Sequence, residues 1–276
     1  MAATVSFSVP STHGPRTVTV SYARVGAGEP LLLLHGIGHH RQAWDPVVDI
    51  LATERDVVTV DLPGFGASPA LPDGLAYDLP TVVPALGALC TALDLGRPHV
   101  AGNSLGGLLA LALGREKLVR SVTAFSPAGF WSQAERRYAF TVLLAMRQAA
   151  RNMPLPVVER LSRTAAGRTV LTSTIYARPG RRSPEAVVAE TLALARAEGF
   201  AATLRAGTSV RFEEDLPGLP VTVAWGTHDR ILMRRQGIRA KRIIPKARLV
   251  RLPGCGHVPM SDDPALVARV ILDGSR

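Results

Sequence analysis

One stretch leaves this chain little freedom in how it folds: Val100-Ala101-Gly102-Asn103-Ser104-Leu105-Gly106-Gly107-Leu108. The residues before it, Arg97 to Ala101, predict a short buried strand. Those after it, Leu105 to Gly114, are small and apolar, with Leu105, Leu108, Leu109 and Ala112 at helical spacing. A serine is therefore expected at a sharp strand-to-helix turn, with a glycine two residues to either side. Such a turn strains the serine backbone, and a side chain at Gly102 or Gly106 would collide where strand and helix converge. The Ser104 hydroxyl is lifted clear of the sheet, and the first free amides of the helix, Leu105 foremost, are left to face a ligand. Alone, Gly-x-Ser-x-Gly also describes a glycine-rich helix start that merely packs tightly, so its company decides.

Taken in order, Thr4–Val9 and Thr17–Val25 alternate as antiparallel edge strands, with a turn at Ser11–Gly14. Leu31–Leu34 is a solid apolar run, as a strand buried on both faces requires, and it leads into His35-Gly36-Ile37-Gly38. Trp44–Leu51 predicts a helix, Val57–Val60 a buried strand, and Asp61-Leu62-Pro63-Gly64-Phe65-Gly66-Ala67-Ser68 a loop full of breakers. Leu79–Leu93 reads as a helix despite Pro84, and Val119–Phe125 as a strand. The alternation then stops. From Ala128 to Val210 only helical patterns appear: Glu135–Ala150, with Phe140, Leu143, Leu144 and Ala150 on one face, then Leu155–Leu161 and Pro184–Ala197, the last with proline in its first turn. Strands resume at Leu219–Trp225 and Arg248–Leu252, and a helix runs from Pro264 to about Leu272. Strands alternating with helices imply a mostly parallel sheet wrapped on both faces. The expected organisation is a core of residues 1–127 and 211–276 with a helical insertion, 128–210.

Ser104 is expected at the carboxyl end of a parallel strand, where open α/β sheets place their ligand sites. Two later turns share that position. Val221–Trp225 runs into Gly226-Thr227-His228-Asp229, and Arg248–Leu252 into Pro253-Gly254-Cys255-Gly256-His257. A serine hydroxyl is a weak nucleophile at neutral pH and needs a base that titrates near 7, which histidine provides. The imidazole in turn needs one nitrogen held as a donor so that the other accepts, and a buried carboxylate does this. The developing oxyanion needs backbone donors, for which Leu105 N–H and Ile37 N–H are the candidates. The candidate catalytic set is thus Ser104, Asp229 and His257. Rival readings remain: Asp229 as the cap of a helix beginning near Ile231, and His228, His35, His39 or His40 as alternative bases. His228 points away from its neighbour Asp229. His39 and His40 resemble an exposed loop pair without the spaced partners of a metal site, and Cys255 reads as small packing.

Composition narrows the function classes. The 276 residues are 47% hydrophobic, enough for a substantial core. Two cysteines, Cys90 and Cys255, cannot build a disulfide framework. Met1–Ser11 lacks a signal-peptide pattern and no apolar run is long enough to span a bilayer, so a soluble, cytoplasmic protein without stable membrane insertion is expected. The net charge is +10, and of 32 basic residues only Lys117, Lys241 and Lys246 are lysine. Few aromatics interleave with that charge, which argues against nucleic acid. Between Ser126 and Val210 stand twelve arginines against five glutamates. Either these are solvated helix faces or they make a basic entrance suited to anionic substrates.

Together these segments resemble the α/β-hydrolase family: His35-Gly36-Ile37-Gly38 its oxyanion loop, Asp61 to Ser68 its recurring loop after the next strand, Gly102 to Gly107 its nucleophile elbow, Trp225 to Asp229 its acid turn and Gly256-His257 its base turn. The resemblance runs from about Tyr22 to the end. It implies an α/β-hydrolase fold with the insertion as a helical cap, and an acyl-enzyme on Ser104; no cofactor or metal is called for. Relatives that open epoxides or remove halides carry aspartate at the elbow, whereas this chain has Ser104. Relatives that hydrolyse carbon–carbon bonds usually place tryptophan after the histidine, whereas Val258 follows here. The elbow also differs from that of haloperoxidase-like members. A serine esterase, carboxylesterase- or lipase-like and acting on a small-molecule ester, is the reading expected. A carbon–carbon bond hydrolase or acyltransferase with the same three residues, or a small-molecule receptor on the same scaffold, are the alternatives.

Overall fold

A computed structural model describes every residue except Met1 and His13. Its strands are β1 Ala3–Val9, β2 Arg16–Gly26, β3 Glu29–Leu34, β4 Arg55–Val60, β5 His99–Asn103, β6 Ser121–Phe125, β7 Val221–Gly226 and β8 Arg248–Leu252. Among the described residues they form one sheet in the order β1-β2-β4-β3-β5-β6-β7-β8. The β1–β2 and β2–β4 pairs are antiparallel and all others parallel. Only β1 of the first two strands is an edge; β2 is paired on both sides, which corrects the expectation for Thr17–Val25. The turn between them keeps its Gly14 N–H to Ser11 carbonyl bond, at 3.1 Å, and its His13 lies outside the described residues.

The leucine run in β3 shows why the sheet is covered twice. Leu31 and Leu33 pack with α1 (Asp45–Leu51) and α10 (Pro264–Gly274) on one face. Leu32 and Leu34 pack with α2 (Leu79–Ala92) and α3 (Leu105–Arg115) on the other. A strand with period-two side chains needs both sets apolar to be buried this way. Pro84 is tolerated inside α2 because it lies on the exposed side, where water reaches the carbonyl its missing N–H would have bonded. α3, apolar all round, is buried along nearly its whole length.

Five helices stand between β6 and β7: α4 Gln133–Asn152, α5 Leu155–Ser162, α6 Ala165–Thr172, α7 Pro184–Arg196 and α8 Phe200–Ala206. α4 opens with a capping box in which Ser132 and Glu135 each bond the other's backbone amide. Ser183 caps α7, with Pro184 in its first turn as expected. The face assigned to α4 needs correction, since Leu144 is half exposed while Ala139, Val142, Leu143 and Met146 pack inward. No helix begins at Ile231; the next one, α9, spans Arg235–Ile243. Among the described residues no helix is long and apolar enough to cross a membrane.

Candidate active site

The turn after β5 has the geometry its glycines require. Ser104 sits at φ 56°, ψ −113°, a left-handed conformation that is strained for a residue with a side chain. Hydrogen bonds clamp it there: Ser104 N–H donates to the Phe125 carbonyl at 2.9 Å, and its own carbonyl accepts from Leu108 and Ala128. A Cβ at Gly102 would lie 2.1 Å from the Gly106 carbonyl oxygen, and one at Gly106 would lie 2.1 Å from that of Leu34. Neither position admits a side chain while β5, β3 and α3 stay this close.

Asp229 and His257, far apart in the chain, meet at the same end of the sheet. The His257 Nδ1–H donates to Asp229 Oδ2 at 2.8 Å, and both side chains are buried. Asp229 Oδ1 accepts two further bonds, from the amides of Ile231 and Leu232, each at 2.9 Å. The carboxylate closes a turn where the rival reading expected a helix start, and its other oxygen holds the histidine ring. With Nδ1 holding the proton, Nε2 is free to accept one. His257 and Ser104 line one cavity of about 60 Å³. Among the described residues no hydrogen bond joins the Ser104 hydroxyl to the ring.

The two amides expected to hold an oxyanion are unspent: among the described residues neither Ile37 N–H nor Leu105 N–H donates to a protein acceptor. Ile37 lines the Ser104 cavity, while Leu105 lines a second, largely apolar pocket of about 50 Å³. Gly36 brings the first loop against the serine, since a Cβ there would lie 3.3 Å from the Ser104 Cβ.

The rival histidines find other work. His228 is exposed and pairs with Thr227 Oγ1. His35 is buried, accepts from Leu62 N–H through Nε2 and donates to the Gly36 carbonyl through Nδ1. Burial pushes its pKa down to about 4 against the pull of Asp61, so it is a neutral strut for the loop. His39 and His40 are buried, not the exposed pair expected; burial lowers both pKa values, that of His39 well below the ordinary range. Cys255 is fully buried, and its thiol is pushed up to about 12 by that burial and by Asp262.

Two further residues hold the site together. Asn103 Nδ2 donates to the backbone carbonyls of His257, at 2.8 Å, and Phe125, at 3.2 Å, tying the base loop to the elbow. Asp262 accepts from the amides of Gly256, Ala177 and Arg178 at 2.8–3.0 Å, joining that loop to the chain between α6 and α7. The sequence signal for Asp262 was the doublet Asp262-Asp263, of which one member suffices to cap α10, and Asp263 does so.

The insertion supplies part of the cavity wall, through Leu143 and Met146 of α4, Ile175, and Glu190 and Leu194 of α7. Part of its excess positive charge is structural: Arg136, Arg147, Arg168 and Arg178 donate to backbone carbonyls, and Arg182 to Glu190. An outer groove of about 850 Å³ is lined by Arg181, Arg182 and Arg196 but also by Asp45, Glu185 and Glu190, a mixed field. No group of three or more histidine, cysteine, aspartate or glutamate side chains able to hold a metal occurs among the described residues.

A family model described as the alpha/beta hydrolase family matches residues 31–270. The chain is similar to pimeloyl-[acyl-carrier protein] methyl ester esterase of Aeromonas hydrophila, 31% identical over 265 residues that cover 92% of this chain and 98% of that protein. It is also similar to 2-hydroxy-6-oxo-2,4-heptadienoate hydrolase of Pseudomonas putida, 40% identical over a shorter stretch of 91 residues, 32% of this chain and 33% of that protein. Among solved structures, a thermophilic esterase from Thermogutta terrifontis aligns with a TM-score of 0.76 at 23% identity, covering 98% of this chain and 97% of that one.

Proposed function

The chain belongs to the alpha/beta hydrolase family, and from that premise we propose that it hydrolyses carboxylic esters through an acyl-enzyme on Ser104. His257 Nε2 takes the serine proton as the hydroxyl attacks the ester carbonyl. Asp229 holds the ring in the tautomer that can accept and stabilises the imidazolium that forms. The Ile37 and Leu105 amides receive the oxyanion. Collapse of the tetrahedral intermediate sends the proton from His257 to the departing alcohol. Water, activated by the same nitrogen, then releases the acid. Residues 128–210 act as a cap over the core formed by 1–127 and 211–276.

The observation that carries this reading is the 2.8 Å bond between His257 Nδ1 and Asp229 Oδ2 beside a strained serine in a shared cavity. The bond from serine to histidine forms when substrate displaces the hydroxyl toward the ring, as catalytic contacts often tighten only in the complex. The test is hydrolysis of p-nitrophenyl esters together with fluorophosphonate labelling. Ser104→Ala should abolish labelling and lower turnover by roughly a thousandfold or more while the thermal melt stays that of the parent. Near-full activity of that variant rejects the mechanism.

A second reading, hydrolysis of a carbon–carbon bond by the same residues, is favoured by the local match to the heptadienoate hydrolase. Val258, next to the base, counts for the ester. Comparing vinylogous diketones with the ester panel decides between them.

A further inference from the structure

The mechanism above uses the carboxyl ends of the strands and leaves one edge of the sheet without a role. β8 is the last strand and pairs with β7 alone. Just beyond that pairing the Thr227 N–H donates to the Leu252 carbonyl at 3.1 Å, which sets the phase of the ladder. Leu252, Val250 and Arg248 turn their N–H and C=O groups toward β7, and Leu249 and Arg251 turn theirs outward. Among the described residues no strand lies beyond β8, and no backbone or side-chain group bonds those outward amides and carbonyls.

The edge carries a groove. By register Leu249 lies beside Val223 and Arg251 beside Trp225, so their side chains share the face that α9 covers. α9 packs on Trp225, where a Cβ at Gly237 would lie 3.0 Å from the indole and 3.4 Å from Leu249 Cδ1. It does not reach over the edge. A space of about 340 Å³ remains, lined by Trp225, Arg234, Ile238, Leu249, Val250 and Arg251. Its two walls match in pitch. Arg234 and Ile238 stand one helical turn apart, about 6 Å along α9. Leu249 and Arg251 stand two strand residues apart, about 6.6 Å. As the crossover between two parallel strands, α9 runs back against them. Ile238 is therefore level with Leu249 and Arg234 with Arg251, an apolar step beside a basic one. Ile238 is 52% exposed and Leu249 41%. Both arginines are exposed, and among the described residues neither side chain has a hydrogen bond or ion pair.

The field around the groove has one sign. Nine basic residues and no acidic one stand between Arg230 and Ser261. Glu135 balances Arg235 and Arg239, and Asp273 faces Arg248. Among the described residues Arg234, Arg242, Lys246 and Arg251 have no counter-ion. A second copy of this chain at the same edge would set like charges together. A nucleic acid would leave Ile238 and Leu249 in water and find no ring to stack on, since Trp225 is 1% exposed. A bilayer surface is flat and does not enter a groove.

We propose that the β8 edge is a docking site for an acidic, extended peptide segment of another protein, which adds to the sheet as a further strand. The outward groups of Leu249 and Arg251 pair with the peptide backbone, and the groove reads alternate side chains. An apolar side chain opposite Leu249 closes over Ile238. An acidic side chain two residues away meets Arg251 and Arg234. The groove shares no lining residue with the Ser104 cavity, so the proposal does not depend on the ester-hydrolase reading.

The test is fluorescence anisotropy of the full chain with labelled threonine heptapeptides that carry isoleucine and glutamate two residues apart, in either order. At low salt one order should bind roughly 10-fold more tightly than its lysine-for-glutamate partner, because two arginines pass from attraction to repulsion. That margin should shrink as salt rises. Arg251→Glu, on an exposed position, should reverse the preference while the thermal melt stays that of the parent. Methylating one set of alternate peptide amides should abolish binding and methylating the other set should not, as pairing along one strand edge requires. Binding should also slow hydrogen exchange at the Leu249 and Arg251 amides. No binding by either order at roughly millimolar protein, which is the weak end of specific affinity, overturns the proposal and leaves Arg251 as a guard against edge pairing. Equal binding of glutamate and lysine peptides, or equal effects of the two methylation sets, overturns it whether or not the variant folds. Tighter binding of oligothymidylate than of the peptide overturns it in favour of a general polyanion site. A dimer in sedimentation that Arg251→Glu separates overturns it in favour of a second copy.

Discussion

Asp229→Asn separates the two duties of this carboxylate and turns them into different numbers. The Asn oxygen has one place to go. The Ile231 and Leu232 amides both point at the Oδ1 position, each 2.9 Å away, and an NH2 there would set donors against donors. The Asn amide nitrogen must therefore take the Oδ2 position and donate to His257 Nδ1, now 2.8 Å off. That forces the ring proton onto Nε2, the atom that has to accept from Ser104. Turnover should fall by about 10⁴, or about 5.5 kcal/mol of transition-state stabilisation, with little change in KM. Stability should fall by only about 1–3 kcal/mol, because each bond survives in neutral form. Asp229→Ala is the contrast. It orphans two buried amides at about 1–3 kcal/mol each and leaves a void beside His257, so about 4–6 kcal/mol is expected. Initial rates with a p-nitrophenyl ester and urea unfolding of the three proteins give both axes. Asp229→Asn within tenfold of wild type, or Asp229→Ala no less stable than Asp229→Asn, would refute the reasoning.

Gly102→Ala should cost more than about 3 kcal/mol in urea unfolding, since its Cβ would sit 2.1 Å from the Gly106 carbonyl oxygen and backbone must move. Gly87→Ala, whose Cβ would meet only the flexible Leu118 side chain at 3.3 Å, should be neutral or gain up to about 1 kcal/mol; equal stabilities of the two variants would contradict the steric account. Stability should also fall on acidification before the carboxylates protonate. His35 titrates at about 4 in the fold because burial disfavours its charge, so between the ordinary histidine range near 6.5 and 4 the unfolded chain binds the extra proton. That contribution, about 3 kcal/mol, is intact above pH 6.5 and lost as pH falls toward 4, with His39 and His40 shifted in the same direction. His35→Gln, which keeps one acceptor and one donor, should flatten the slope of unfolding free energy against pH by one proton; an unchanged slope would show that His35 is not buried neutral.

What the sequence disclosed and what it hid divide along one physical line. The β–α alternation, the elbow and the parallel runs at Leu31–Leu34 and Val57–Val60 were legible because periodicity and glycine sterics act between near neighbours in the chain. The start of α9 lies beyond the helix weighed near Ile231 because Arg235–Ile243 is highly charged and buries only Gln236, Gly237 and Ala240, too few apolar side chains to show a period. Spacing alone places Leu144 inward, but neighbours that decide which stripe of α4 is covered come from α7, far along the chain. The same distance hid the polar groups. His39 and His40 read as an exposed pair because nothing local in the sequence shows that they will be buried, and no local pattern singles out Glu190. Its partners Arg182 and Tyr176, eight and fourteen residues earlier, both arrive from the segment that precedes the helix. Polar residues enter an interior only with partners, and partners are assembled by topology, so a one-dimensional pattern shows where a base or a nucleophile can stand long before it shows what surrounds it. The core elbow could be read from nine residues; the wall of the chamber above it is assembled from separate helices, as Leu143 and Met146 of α4 and Leu194 of α7 come to line the Ser104 cavity.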